Sequence, residues 1–174
     1  MNILRKLFSG LGKSGSDLGN TKLELERLLS AGDINNSIIE LDNYVSRLCS
    51  YGEAMNKLSE PQKHFYYNQS LEREVNNGGF SQYFFNSSGD NAHQTVLSLR
   101  KIGADTTANI LQKTIDQFPD RNVPRDRKVR HRLLEHIEDL AESRWKELEQ
   151  EFFLYNDDLN KMNIEYIRAY KDAF

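Results

Sequence analysis

Glu74-Val75-Asn76-Asn77-Gly78-Gly79-Phe80-Ser81-Gln82-Tyr83-Phe84-Phe85-Asn86 is the stretch on which the reading of this chain turns. An apolar run with helical spacing leads into two adjacent glycines, and an aromatic run leaves them. A helix ends readily where one residue takes a positive φ, and glycine does so without a Cβ penalty. With Gly79 in that conformation, Phe80 lies back over Val75. Phe80, Tyr83 and Phe84 then share one helical face at i, i+3 and i+4. The stretch predicts a helix end, a reversal of the chain, and a second helical piece whose aromatics plug the corner. A ligand site built on Asn77, Gln82 and Asn86 is the other reading of the same residues.

Outward from this corner the apolar period is helical in both directions. Upstream, Ser59-Glu60-Pro61-Gln62 is a capping box with proline in the first turn, opening the helix that carries Phe65, Leu71 and Val75. Asp33 is a suitable N-cap for a helix with Ile34, Ile38, Leu41, Val45 and Leu48, and residues 21–31 carry Leu25, Leu28 and Leu29. Downstream, Ser87-Ser88-Gly89 makes a second turn and Asp90 is read as the cap of a helix over 90–102. A helix over 105–118 places Ala108, Leu111, Ile115 and Phe118 on one side, and Pro119 stops it. The longest helix spans 128–153, with Leu133, Ile137, Leu140, Trp145, Leu148 and Phe152 expected inward. Asp157 or Asp158 caps a last helix bearing Leu159, Met162, Ile167 and Tyr170. No run alternates with the period of a strand. The fold class is therefore all-α: a compact single-domain bundle of about seven or eight helices over residues 21–174, with no significant sheet.

Residues 1–20 stand apart from that domain. Ile3, Leu4, Leu7, Phe8 and Leu11 recur at helical spacing with Arg5 and Lys6 opposite, and residues 12–20 are rich in Gly and Ser, like a tether. A signal peptide needs a continuous apolar core and a small-residue cleavage site, and neither is present. The segment 1–11 either packs on the domain or a neighbour, or makes a weak membrane-surface contact. Gly12-Lys13-Ser14 lacks the glycine a phosphate-binding loop needs at position 7, which is leucine.

Composition narrows the function classes. The chain has 174 residues, a formal net charge of −3 and one cysteine. A lone Cys49 excludes an internal disulfide framework, and in its amphipathic run it reads as a reduced, buried thiol. With no membrane span, this points to a cytoplasmic protein. His64, His93, His131 and His136 make no metal-ligand spacing: none forms His-Glu-x-x-His, and none has Glu three residues before it. The chain is thus expected not to be an enzyme and to need no cofactor.

Glu74-x-x-Asn77-Gly78-Gly79-Phe80, followed by Gln82-Tyr83-Phe84 and Asn86-x-x-Gly89, resembles the signature of the bacterial DNA-mimic-protein-like family, helical domains of unknown function. Ile102-Gly103-Ala104, Phe118-Pro119 and the pattern over 157–167 fit the same family, so the resemblance covers about residues 40–172. It implies an all-α fold, a homodimer and no known catalysis. It further implies carboxylates presented in place of DNA phosphates, so as to occupy a DNA-binding regulator.

The charge distribution bears on that expectation. Duplex DNA carries about one negative charge per 1.7 Å of axis, so a mimic needs a dense acidic face. Residues 133–174 hold 11 acidic against 5 basic side chains, and residues 121–132 hold 6 basic against 1 acidic. On the long helix, Glu138, Glu142 and Glu149 fall away from Leu133 and Ile137. With Asp157 and Asp158 they are the expected partner-binding face. The solvated face of an ordinary helix is the other reading of the same carboxylates. The basic run 125–132 is expected to pair with neighbouring acids rather than bind nucleic acid, because the aromatics are not interleaved with it. Two functions from different classes follow: a regulator that binds a DNA-binding protein, or an immunity or antitoxin-type protein that neutralises a toxin. A hydrolytic or metal enzyme is the third reading.

Overall fold

The computed structural model describes residues 15–174, and of residues 15–21 and 138–140 the backbone alone. The amphipathic segment 1–11 and the start of the expected tether lie outside the described residues. Among the described residues every regular element is helical, and no strand occurs.

Helix α1 (Gly15–Ser30) takes in residues 15–20, which composition assigned to the tether. Once the leucine-rich turns beyond have nucleated a helix, extension by a few residues costs little, even through glycine. Helix α2 (Ile34–Leu48) starts as expected, with the Asp33 carboxylate accepting from Asn36 N at 3.0 Å. Helix α3 (Glu60–Phe85) opens on the Ser59/Gln62 capping box and is broken inside by Gly78 and Gly79. After a 3-10 turn (Ser87–Asn91) come α4 (Ala92–Lys101) and α5 (Asp105–Ile115). The long α6 (Arg127–Phe152) is capped by Asp126, and α7 (Leu159–Ala169) by Asp158.

The central element is α3, which touches α2, α4, α6 and α7. It runs through two cores. Around its first turns, Phe65 and Tyr66 join Leu25, Leu28, Leu41, Val45 and Ile167 of α1, α2 and α7 in an aliphatic core. Beyond, Phe80, Tyr83 and Phe84 join Leu111, Phe118, Trp145 and Phe152 in an aromatic core closed by α4, α5 and α6. Each fully buried Leu or Phe in either core contributes roughly 1.5–3 kcal/mol by leaving water.

The inward face of α6 follows the expected one in its second half, at Trp145, Leu148 and Phe152, and departs from it in the first. Leu134, Ala141, Trp145, Leu148 and Phe152 are buried, whereas Leu133 and Ile137 are half-buried, and Leu140 belongs to the residues described by backbone alone. A 26-residue helix offers two neighbouring apolar stripes, and packing against α3 and α5 selects the one that also carries Arg130.

Candidate functional site

The glycine pair is a kink within α3 rather than a reversal of the chain. Gly79 has φ 72 and ψ −172. Its φ is positive as expected, but this ψ places it outside the left-handed helical region, in a region essentially reserved for glycine. A Cβ on Gly79 would run into the Glu149 carboxylate, and one on Gly78 into the Gln82 amide. Both close approaches have a purpose. Glu149 Oε1 accepts from Phe80 N at 2.8 Å, so a carboxylate from α6 caps the second limb of α3, whose first N–H groups lack partners. Gln82 donates to Glu74 Oε2 at 2.7 Å and accepts from Asn77 at 3.1 Å, and Asn86 donates to the same Glu74 oxygen at 2.8 Å. Asn77, Gln82 and Asn86, read above as possible ligand contacts, are thus tied to Glu74 across the kink. Phe80, Tyr83 and Phe84 are fully buried beneath it.

The residue that sequence reasoning missed is Arg130. It is 0% exposed, and its guanidinium makes five hydrogen bonds. Nε donates to Phe84 O at 2.6 Å, Nη1 to Pro124 O at 2.6 Å and Arg125 O at 3.2 Å, and Nη2 to Asn86 O at 3.1 Å and Asp90 at 2.5 Å. A guanidinium has five N–H donors, and a buried one is tolerable only when they are satisfied and its charge is matched. Gly89 makes room for it, since a Cβ there would sit 2.8 Å from Arg130 Nε and 2.7 Å from Phe84 O. Asp90 is therefore the counter-ion of Arg130 and Arg127, not the cap of α4. In the sequence Arg130 looks like one more cation of a basic run. The available signal was its spacing, which puts it on the stripe of Leu134, Ala141 and Trp145.

The basic run is pinned at other points. Arg125 donates to Asp90 O at 3.1 Å, and His131 stacks on Phe85 with ring centroids 4.1 Å apart while meeting Phe85 O at 2.7 Å. His136 Nδ1 meets Arg132 O, and His93 Nε2 accepts from Val123 N at 3.1 Å. His64 sits edge-on to Tyr166, and burial holds its pKa below the usual imidazole value. Cys49 is fully buried, and burial pushes its thiol up.

Of the five carboxylates expected to face a partner, the four whose side chains are described do not form one strip. Glu142 is exposed and paired with Lys146 at 2.5 Å, which holds its carboxyl below the ordinary range. Glu149 is half-buried at the kink. Asp157 is buried: its Oδ2 accepts from Thr107 N at 2.7 Å and Thr107 Oγ1 at 3.0 Å. It caps α5 from a distant part of the chain, because the N-cap position of α5 is Ala104, which has no acceptor. Asp158 is exposed and accepts from Lys161 N at 3.0 Å as the cap of α7. The side chain of Glu138 lies outside the described residues.

A family model described as DMP19-like protein matches residues 56–170. The chain belongs to that family. No curated protein and no solved structure matches it. The DMP19-like region is narrower than the resemblance at residues 40–172 suggested. It contains the whole aromatic core, the glycine kink and Arg130, and it leaves out α1 and α2. Two open depressions flank its first helix. One, of about 410 Å³, lies between α3, α6 and the turn at Tyr51, with Phe85 and His131 at its edge. The other, of about 800 Å³, runs between α2, α3 and the start of α7. The second has one wall in the DMP19-like region and one wall outside it.

Proposed function

We propose that this chain is a non-enzymatic, cytoplasmic regulator that acts by binding a protein, and that it engages a DNA-binding protein or another basic partner through acidic side chains on its helical surface. Membership in the DMP19-like family carries the reading, since that family is DNA-mimic-like. The clustering of acidic residues after position 133 supports it. Glu142 and Asp158, both exposed, remain candidates for the contact. Glu149 and Asp157 act within the fold. The chain is further proposed to work as a homodimer. The half-buried Leu133 on α6 and the exposed Phe153 and Leu154 just beyond it supply apolar surface for a second copy.

Recovery of the partner from the native host by pull-down and mass spectrometry starts the test. Association is then timed at two salt concentrations, with and without duplex DNA. Complementary exposed charges mainly raise the association rate, and salt screens them over about 8–10 Å. The rate should fall with salt, fall further on reversing Glu138 and Glu142 to Lys, and duplex DNA should compete. A partner that ignores salt and duplex DNA alike, such as a toxin held by apolar contacts, would overturn the reading.

A further inference from the structure

The 800 Å³ groove between α2 and α3 is the strongest unexplained feature of the molecule. We propose that it receives an arginine-bearing segment of the protein partner, and this rests on the reading that the chain binds a basic protein.

The first argument is charge. Asp42, Glu72 and Asp158 line the groove, and Arg73 is the cation beside them, already paired with Asp42 at 2.5 Å. One cation is set against three carboxylates in a concave site, where the surrounding protein strengthens the field. Burial raises the Glu72 carboxyl above its ordinary pKa, and the nearby Asp42 and Asp158 raise it further. A bound cation would relieve that repulsion.

The second argument is the stock of acceptors. Asn76 donates to Tyr155 Oη at 2.7 Å, and Tyr155 Oη donates back to Asn76 Oδ1 at 3.0 Å. Tyr155 has a φ of 48, uncommon for an aromatic residue, and lines the groove. At the far end Asn160 donates to Asn35 at 3.0 Å, while its own buried Oδ1 has no hydrogen-bond partner. This one acceptor at the groove is left without a donor.

Carboxylates, an orphaned amide oxygen and an aromatic ring together suit a guanidinium better than an ammonium. A guanidinium presents planar, forked donors, forms bidentate bonds to carboxylates and stacks on aromatic faces. Ile39, 59% exposed beside the groove, offers apolar surface to the methylene stem. Asn35, Ile39 and Asp42 belong to α2, so one wall of the groove lies outside the matched residues 56–170.

The test uses the full chain, isotope-labelled for NMR, and a short arginine-rich peptide capped at both ends. Lysine and citrulline versions serve as comparisons. The arginine peptide should shift the signals of Asn76, Tyr155 and Asn160. Glu72→Gln with Asp158→Asn should weaken it by about tenfold or more, the usual worth of a lost charged hydrogen bond. Asparagine keeps the cap of α7, so the fold survives this pair. Asp116→Asn with Glu165→Gln, exposed carboxylates away from the groove, should leave the affinity unchanged. Equal binding of the citrulline peptide, or shifts confined to α6, would overturn the proposal. The host partner separates the two levels. If it tolerates the groove pair but not reversal of Glu142, the groove is wrong and the basic-partner reading stands. If it ignores both and ignores salt, the reading falls and the groove with it.

Discussion

The aliphatic core around α1, α2 and α7 and the aromatic core around the α3 kink are held by different means. Leu25, Leu28, Leu41, Val45 and Ile167 meet as apolar side chains with few polar obligations. The aromatic core is enclosed by a polar frame in which Glu149 caps a helix limb, Arg130 collects three helix-end or loop segments, and Asp157 caps α5. A core of the first kind tolerates exchange of one apolar side chain for another of similar volume. A frame of the second kind does not, because removing one partner leaves the others buried and unpaired. The DMP19-like match contains the second kind whole and only part of the first.

The largest expected effect tests that contrast at its centre. Arg130→Met should cost about 3–5 kcal/mol by stranding Asp90 and the carbonyls of Phe84 and Asn86. Leu41→Met in the other core should cost under about 1.5 kcal/mol. Urea denaturation measures both, and comparable losses would erase the distinction between the cores.

A glycine in each region gives the next comparison. Gly79→Ala should cost about 2–3 kcal/mol, since its backbone region is closed to other residues and a methyl displaces Glu149. At Gly32, between α1 and α2, a Cβ meets nothing within 4 Å, and alanine should change stability by less than about 0.5 kcal/mol. Asp157→Ala comes third, at about 1–2 kcal/mol, the ordinary cost of losing a helix cap. Amide hydrogen exchange should report that loss at Thr107, and protection unchanged there would mean that α5 does not depend on Asp157.

The smallest effect has the opposite sign. Burial raises the Glu72 carboxyl in the folded chain. A carboxyl with a raised folded pKa favours folding below its unfolded value of about 4.3 and loses that contribution as pH rises through the folded value. Glu72→Gln should therefore gain stability near pH 7, by less than about 1 kcal/mol for a group still partly open to solvent, and match the wild type near pH 4. A gain that persisted at pH 4 would point to a cause other than the charge.

Much of the fold follows from local rules that act within one or two turns. The caps at Asp33, Ser59 and Asp158, the burial of Leu25, Leu41 and Cys49, and the positive φ of Gly79 each depend on residues close in the chain, and all are legible there. The candidate site was less so. Among the expected partner-facing carboxylates, Glu149 and Asp157 are engaged with Phe80 and Thr107, positions 69 and 50 residues away. A helical period shows which face a carboxylate is on, but not whether another helix end is waiting across the interface.

The sequence by itself determined that residues 21–174 form an all-helical domain, where most of its helices begin, and that α3 must break at Gly78-Gly79, because apolar period, capping chemistry and glycine's freedom at φ are local properties. Only the tertiary structure decided that Arg130 is buried, that Asp90 is its counter-ion, and which stripe of the first half of α6 faces inward. It also decided that Asp42, Glu72 and Asp158 meet across one groove. The reason is physical: satisfying a buried donor or gathering like charges depends on groups brought together from distant parts of the chain, and no spacing along one helix encodes their meeting.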